Sequence, residues 1–318
     1  MFGSPSFTAA DIPDQTGRVI FVTGGNTGLG KESITQLAKK NAKLYMASRT
    51  ESKALAAIED IKKLVPSADI HYVPLDLTSF ASIRACASTF IALEPRLHVL
   101  LNNAGVMAMP YSETTEGYEI QFGTNHVGHF LLTSLLLPAL EAAADAPDAP
   151  AGSVRIVNLS SFGHNFAYRG IKLDDLQNHL KNANTGERYG VSKLANILHA
   201  RELARRYPKI TSVSLHPGII MSDLYNAAVG SNPIMKMWFN TMSLVCTSVP
   251  DGTLNQLFCA TGPVKPEDSG HYYVPVGIKD DDAWYTSRPS KLASDDALAS
   301  RLWEWSEEQV RKHAPISS

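Results

Sequence analysis

Short apolar segments alternate with longer amphipathic segments along most of the chain. The apolar segments are rich in β-branched and aromatic residues and have the length of strands. We expect seven strands, at 18–23, 43–47, 70–75, 98–101, 154–159, 211–215 and 271–276. Between them, apolar residues recur at helical spacing. The predicted helices are 31–40, 51–65, 79–93, 118–140, 189–207, 250–260 and 297–312.

The order of these elements predicts the fold class. Strands that are apolar on both faces and separated by helices indicate a parallel sheet covered on both sides. Right-handed crossovers then give a doubly wound α/β sheet. No repeat or linker separates two hydrophobic cores. We therefore predict a single Rossmann-type domain over 1–318, with a mainly parallel seven-stranded sheet, helices on both faces, and a ligand site at the carboxyl ends of the strands.

Composition excludes several classes of partner. The 318 residues carry 29 Lys and Arg against 31 Asp and Glu, a net charge of −2, and there is no long basic block, so a nucleic-acid partner is not expected. Three widely spaced cysteines argue against a disulfide framework or a zinc site and fit a reducing compartment, which we expect to be the cytoplasm. The adjacent acids Asp280, Asp281 and Asp282 should form a solvated turn, so we expect no metal.

No targeting or membrane-spanning segment is expected. The first sixteen residues have neither a basic segment nor an apolar core, so they do not resemble a secretory signal. The apolar stretches 130–140 and 234–249 are too short to span a bilayer. Contact of 234–249 with a membrane surface is left open.

A glycine-rich loop follows the first predicted strand. Residues 23–30 are TGGNTGLG, in which Gly24 permits a tight turn, Gly28 lets the backbone approach a pyrophosphate and Gly30 lets the helix pack on the sheet. The helix would direct free N–H groups and its positive dipole end at phosphates. A turn without a ligand has the same glycines, but the flanking strand and helix favour a nucleotide. The expected contacts are Gly24, Asn26, Thr27, Gly28, Leu29 and Gly30.

The end of the second predicted strand indicates which nicotinamide cofactor binds. It reads Ser48-Arg49, with no Asp or Glu to bond the ribose 2′-OH of NAD. A guanidinium can instead bind the 2′-phosphate of NADP with its planar fork. We therefore predict NADP(H), with Ser48 and Arg49 at the phosphate. A solvated surface arginine is the alternative.

Two further strand ends are expected to contact the cofactor. Asp76 and Leu77, after the third strand, would lie at the adenine. The fourth strand is followed by NNAG, whose small residues would let the cofactor lie close to the sheet. The expected contacts there are Asn102, Ala104 and Gly105.

Candidate catalytic groups follow the fifth strand. Tyr189 and Lys193, in YGVSK, are four residues apart and share one face of a helix. A nearby cation favours phenolate and lowers the pKa of a tyrosine toward the range useful for proton transfer. Ser160 and Ser161 end the fifth strand, where a hydroxyl can bond a substrate carbonyl. Each pattern alone is common, and only the set is specific.

The motifs TGGNTGLG, NNAG, TNHVG, SS, YGVSK and HPG occur in this order, each at a strand end or on an adjoining helix. With them, residues 17–218 resemble the short-chain dehydrogenase/reductase family, and the remaining third resembles it weakly. The phrases GNTGLGKE, RIVNLSSFGH and YGVSKLANILHARELARR are similar to the retinol-dehydrogenase and WW-domain-oxidoreductase branch and its soluble fungal relatives.

The resemblance implies a mechanism. Tyr189 would be the general acid/base, and Lys193 would hold the nicotinamide ribose and lower the pKa of Tyr189. Ser161 would orient and polarise the carbonyl; strand alternation cannot choose it over Ser160, so the choice rests on the resemblance. Asn125 would break its helix locally and hold a water in a proton relay to Lys193. The residues expected to border the nicotinamide carboxamide are Pro217, Gly218, Ile220 and Ser222.

These expectations combine into an NADP(H)-dependent oxidoreductase that interconverts an alcohol and a ketone or aldehyde. Segment 219–249 is rich in methionine and aromatic residues and would cover the pocket over a bulky, apolar substrate, such as a secondary-metabolite-type ketone. The segment could equally pack on the body or in a homo-oligomer.

The same fold supports two alternative functions. One is a catalytically silent NADP(H)-sensing or scaffold protein, which the presence of all four catalytic candidates disfavours. The other is an epimerase or dehydratase, which would carry GxxGxxG and a larger substrate domain. The polar insertion 168–188, between Ser161 and Tyr189, has no role that the sequence identifies.

Overall fold

The computed structural model describes residues 7–218, 220, 247–282 and 289–313. The strands are β1 Val19–Thr23, β2 Lys43–Ser48, β3 Asp69–Pro74, β4 Val99–Asn102, β5 Arg155–Leu159, β6 Thr211–Leu215, β7 Tyr272–Val274 and β8 Ile278–Lys279. The helices are α1 Gly28–Ala38, α2 Glu51–Leu64, α3 Phe80–Leu93, α4 Ile120–Ala144, α5 Leu176–Asn182, α6 Thr185–Arg206, α7 Val249–Thr261 and α8 Asp296–Lys312.

The eight strands of the described residues form one sheet, in the order β3-β2-β1-β4-β5-β6-β7-β8. The strands run parallel except β8, which pairs antiparallel with β7. The order reverses between β1 and β4, the place where doubly wound sheets open a crevice for ligands. The predicted doubly wound α/β fold is confirmed. The predicted strand number is one too low, because β8 has two residues and is too short to show an alternating pattern.

A hydrophobic core lies on each face of the sheet, and successive residues of β1 point into different cores. Ile20 and Val22 pack with the apolar faces of α1, α2 and α7. Phe21, between them, packs with α3, α4, α6 and α8 on the opposite face. Because both faces are covered, each residue of β1 is buried, which explains why the strand reads as a continuous apolar run.

Helix α4 is longer than predicted and contains one turn of π-helix. That turn, Gly123–Val127, lies around Asn125, where a local break was expected. By length and composition alone the 25-residue helix could cross a membrane, but 67% of its most apolar window is buried inside the protein. Packing against the sheet therefore accounts for its apolar sequence.

Helix α6 begins at Thr185, one turn before the predicted start at 189. Asn184 caps it, and its side-chain oxygen accepts the N–H of Glu187 at 2.9 Å. The insertion 168–188 thus supplies a short 3-10 turn (Leu173–Asp175), helix α5 and the first turn of α6.

A buried carboxylate ties this insertion to α6. The Glu187 side chain has no exposed surface. It accepts hydrogen bonds from Tyr168 and Arg169 and lies 3.1 Å from Nε2 of His179. Since Glu187 is two residues before Tyr189, the polar residues of the insertion anchor the turn that carries the candidate catalytic tyrosine.

The side of α6 next to Tyr189 touches the backbone of the turn after β5. A Cβ atom at Gly190 would lie 2.7 Å from the amide nitrogen of Ala167 and 2.8 Å from the carbonyl oxygen of Gly163. Only glycine permits this approach, because both contacts are with backbone, which cannot rotate away as a side chain can.

We predict that Gly190→Ala lowers the free energy of unfolding by about 1–3 kcal/mol, because the added methyl overlaps fixed backbone. Gly186→Ala, on the first turn of the same helix, is the matched control. A Cβ there meets the side-chain oxygen of Asn184 at 3.2 Å. That oxygen caps the helix but can shift by a small rotation, so alanine should cost at most the cap, about 1 kcal/mol, and less than at Gly190. Urea unfolding of both variants measures the change in the free energy of unfolding. Equal changes would contradict the close backbone contact at Gly190.

Candidate active site

A cleft of about 320 Å³ opens at the carboxyl ends of the central strands. Its walls come from the loop after β1, the loop after β4, the end of β5, helix α6 and the segment after β6. The lining residues are Gly24, Asn26, Thr27, Gly28, Leu29, Gly30, Asn103, Ala104, Gly105, Met107, Leu159, Ser160, Ser161, Tyr189, Lys193, Pro217, Gly218 and Ile220.

The glycine-rich loop after β1 is fixed to the NNAG segment after β4. Thr23 Oγ1 accepts the N–H groups of Asn103 and Ala104, at 3.0 and 2.9 Å. Gly24 has a φ of +66°, and a methyl group at Gly30 would overlap the Gly24 carbonyl. The first turn of α1 therefore packs directly on the loop, and residues 27–30 line the cleft, so the N-terminus of a helix lies at its wall, the arrangement that binds phosphate in other folds.

Four predicted cofactor residues lie beyond this cleft, at neighbouring strand ends. Ser48 and Arg49 end β2; Arg49 is exposed and forms no ion pair with any residue that the structure describes. Asp76 accepts hydrogen bonds from the backbone and hydroxyl of Thr78, at 2.9 and 2.7 Å, which forms a local turn, and Leu77 beside it is buried. Their contacts with a cofactor stay predictions.

The two asparagines of NNAG point in different directions. Asn102 is buried and donates to Thr133 and to Asn158, at 3.1 and 2.9 Å, beneath the cleft. Asn103, not singled out from the sequence, lines the cleft and donates to the Thr23 carbonyl at 2.8 Å. Because the two residues are adjacent and identical, the sequence carries no signal that shows which of them faces the cleft.

Tyr189 and Lys193 line the cleft together on α6. The Lys193 ammonium lies 5.7 Å from the centre of the Tyr189 ring and donates to the Leu159 carbonyl at 2.9 Å. Burial of the ammonium lowers the pKa of Lys193 to about 8. A cation is therefore held beside the phenol in a site of low dielectric, where its effect on a phenolate is strong.

The structure separates the two serines that end β5. The Ser160 hydroxyl is buried and donates to the Lys193 carbonyl at 2.7 Å. The Ser161 hydroxyl accepts the N–H of Gly163 at 3.0 Å and is partly exposed at the cleft. A Cβ at Gly163 would lie 2.7 Å from Cε1 of Tyr189 and 3.4 Å from Oγ of Ser161, so the two candidate catalytic groups flank this glycine. Gly163 was not singled out from the sequence.

Asn125 lies beside Lys193, on the π-turn of α4. Its side-chain oxygen accepts the N–H of Val106 at 2.8 Å, and its amide donates to the Val106 carbonyl and the Ser192 hydroxyl, at 3.0 and 2.9 Å. A Cβ at Gly105 would lie 3.1 Å from Asn125 Oδ1 and 3.4 Å from Lys193 Nζ. Three of the four predicted catalytic residues thus line one cleft, and Asn125 is buried directly behind Gly105 of its wall.

The segment after β6 closes one side of the cleft. Pro217, Gly218 and Ile220 line it as expected. Ile220 pairs with Thr247 in an isolated parallel bridge, so the two ends of the intervening segment meet at the cleft. Ser222 and most of 219–249 lie outside the described residues, and their covering role stays a prediction.

One group of side chains in the described part of the chain has metal-binding composition. His271, Asp280 and Asp281 place ligand atoms within 4.8 Å of one another, at the start of β7 and beyond β8. Asp280 accepts from His271 Nδ1 at 2.6 Å, and only 10% of its side chain is exposed. The predicted turn is therefore less solvated than expected at Asp280, which serves as the partner of a histidine.

Comparison with known proteins agrees with this geometry. The family model for short chain dehydrogenases matches residues 18–171. A short-chain dehydrogenase/reductase of Aspergillus calidoustus (drtF) is 40% identical over 310 residues, covering 95% of this chain and 96% of that protein. Mouse retinol dehydrogenase 12 is 37% identical over 303 residues, covering 95% of this chain and 88% of that protein. The crystal structure of an uncharacterized Mycobacterium paratuberculosis protein has a TM-score of 0.72 and 29% identity, covering 97% of this chain and 98% of that chain. The chain is thus a member of the short-chain dehydrogenase/reductase family of oxidoreductases.

Proposed function

We propose that this protein is an NADP(H)-dependent oxidoreductase that interconverts an alcohol and a ketone or aldehyde on a bulky, largely apolar substrate. One observation carries the proposal. Tyr189, Lys193 and Ser161 line the same cleft as a glycine-rich loop that leads into the N-terminus of α1. A proton-transfer group and a phosphate-binding turn in one cleft are what hydride transfer with a nicotinamide cofactor requires from a protein.

The chain supplies binding and orientation for the cofactor. The N–H groups of the first turn of α1 would hold the phosphates. Arg49 would bind the 2′-phosphate, since it is exposed, pairs with no carboxylate among the described residues and has no acid beside it at the end of β2. The small residues Ala104 and Gly105 line the same cleft as the glycine-rich loop and Tyr189. A nicotinamide cofactor bound in this cleft would supply the hydride exchange with the substrate carbon.

Proton transfer is assigned to Tyr189. In the reducing direction its phenol gives a proton to the carbonyl oxygen, and the Lys193 ammonium stabilises the phenolate that remains. The Ser161 hydroxyl accepts the N–H of Gly163, which leaves its own O–H as the group that donates to the carbonyl oxygen. Asn125, held by Val106 and Ser192, would place a water that returns a proton through Lys193.

The substrate class is inferred from the cleft and from the relatives. Met107 and Ile220 give the cleft an apolar wall beside the proposed catalytic group. A relative named for retinol, a bulky apolar alcohol, is similar over nearly the whole chain. A secondary-metabolite-type ketone fits the same description. Residence in the cytoplasm stays a prediction.

We predict that Arg49→Asp reverses the cofactor preference from NADPH to NADH. The change replaces a charge-assisted hydrogen bond, worth about 1.5–3 kcal/mol, by repulsion of the 2′-phosphate. Titration of NADPH and NADH into the wild type and the variant measures the dissociation constants of the two cofactors. Turnover of a panel of ketones and aldehydes is followed in parallel at the NADPH absorbance band. Lys62→Asp, an exposed charge change on α2, is the control. Equal affinity of the wild type for the two cofactors would rule out the assignment.

Tyr189→Phe should abolish turnover while NADPH binding stays nearly intact, because the ring still packs on Gly163 and only the proton-transfer group is lost. The expected fall in kcat is about 10²–10⁴-fold, the usual contribution of a general acid or base. Steady-state kinetics on a confirmed substrate, with a parallel cofactor titration, test this. A variant that retains wild-type kcat would refute the role of Tyr189 and favour a different proton donor.

Lys193→Met should abolish turnover and yet stabilise the fold at neutral pH. The ammonium has a pKa of about 8 in the folded protein, against about 10.4 in an unfolded chain. Burial of the charge therefore opposes folding below pH 8, by about 3 kcal/mol, and the penalty disappears as the pH rises toward 10.4.

Urea unfolding of the wild type and Lys193→Met at pH 7 and near pH 10 measures this pH-dependent penalty. The variant should be more stable at pH 7, by about 1–3 kcal/mol after loss of the bond to Leu159, and the gain should shrink at the higher pH. Lys209→Met, which removes an exposed lysine paired with Asp145, is the control and should change little. A Lys193→Met protein less stable than wild type at pH 7 would contradict the prediction.

A further inference from the structure

Two histidines hold the peptide group that joins Ser161 to Phe162. His164 Nδ1 lies 2.6 Å from the carbonyl oxygen of Ser161. On the other side, the N–H of Phe162 donates to Nδ1 of His216 at 3.2 Å. The two polar groups of one peptide bond, directly after the serine that lines the cleft, are therefore both bonded to imidazoles.

The backbone partners fix the protonation of each ring. A carbonyl oxygen can only accept, so His164 carries its hydrogen on Nδ1, and its Nε2 accepts the N–H of Ser290 at 3.1 Å. An amide N–H can only donate, so Nδ1 of His216 is bare. Burial lowers the pKa of both histidines, that of His216 to about 4, which keeps both rings neutral near pH 7.

The backbone of His216 and the ring of His164 are themselves held in place. The backbone N–H of His216 donates to the Tyr273 carbonyl at 2.9 Å, and its backbone carbonyl accepts from the buried side-chain amide of Asn255 at 2.7 Å. His164 is 1% exposed, and its ring packs edge-on against Tyr272. The histidines therefore tie the turn after β5 to the end of β6, to β7 and to the segment before α8.

We propose that His164 and His216 are a pair of positioning residues for Ser161. By fixing the 161–162 peptide from both sides, they set the turn whose next amide, the N–H of Gly163, bonds the Ser161 hydroxyl. The hydroxyl is thereby directed into the cleft beside Tyr189. Its action on a carbonyl rests on the function proposed above, whereas the restraint of the turn does not.

Two replacements at each position test the pair, because they place a polar atom at different points of the ring. The amide of asparagine stands close to Nδ1, so His164→Asn keeps the donor to Ser161 and His216→Asn keeps the acceptor for Phe162. The amide of glutamine reaches toward Nε2 instead and loses these bonds. Asparagine and glutamine are both polar and similar in size, so the two variants at each position should affect folding to a similar extent.

In the glutamine variants, kcat for a carbonyl substrate should fall about 10–100-fold while the Kd for NADPH is unchanged, since misplacement of a group at the reacting centre affects the chemical step. The asparagine variants should recover most of the activity. His199→Gln, at a buried histidine packed among Phe130 and Trp303, is the control; it should alter thermal stability without lowering kcat.

Hydrogen exchange at single-residue resolution gives a readout that does not depend on turnover. The Phe162 amide should exchange about tenfold faster or more in His216→Gln than in wild type and should be protected again in His216→Asn. Unchanged exchange of this amide, or glutamine variants with wild-type kcat, would overturn the proposal. If the wild type turns over no carbonyl substrate, the proposed function is wrong. The exchange rates would then test by themselves whether the two histidines restrain the turn.

Discussion

The candidate site depends on one close contact between backbones, where helix α6 lies against the turn after β5. Gly190 permits it, since a Cβ there would lie 2.7 Å from the amide nitrogen of Ala167, and Gly163 leaves room for the Tyr189 ring, which a Cβ there would also meet at 2.7 Å. This contact places the Tyr189 ring over Gly163, two residues from Ser161. Lys193 follows one helical turn later, on the same face. The position of the Tyr189 ring relative to Ser161 therefore depends on the absence of side chains at Gly163 and Gly190.

The same packing buries a charge that destabilises the fold but that the proposed chemistry uses. Lys193 is buried, and within the part of the chain that the structure describes it pairs with a carbonyl oxygen and with no carboxylate. A cation held in this way opposes folding, as the lowered pKa of Lys193 reflects. The poorly solvated charge acts strongly on the neighbouring phenol for the same reason. Asn125 and Ser160, beside Lys193, are hydrogen-bonded within the protein, so their burial adds no comparable penalty.

Much of the fold and of the site followed from the sequence, because both depend on local patterns. The period of apolar residues located the strands and helices, and parallel strands bring their carboxyl ends to one edge. Motifs that follow β1, β4, β5 and β6 therefore had to meet. The direction of individual side chains did not follow. Asn102 and Asn103, like Ser160 and Ser161, are adjacent and chemically identical, and alternation shows that they face opposite ways without showing which one faces the cleft.

The sequence by itself determined the sheet, the phosphate-binding loop and the pairing of Tyr189 with Lys193, because each is encoded within a few residues of the chain. Tertiary structure alone decided the rest. The attachment of the insertion 168–188 to the first turn of α6 depends on the buried carboxylate of Glu187, whose partners lie up to nineteen residues away. The tautomers of His164 and His216 depend on backbone groups of distant segments. These features require contacts between elements that are far apart in sequence, and no local pattern specifies which elements will touch.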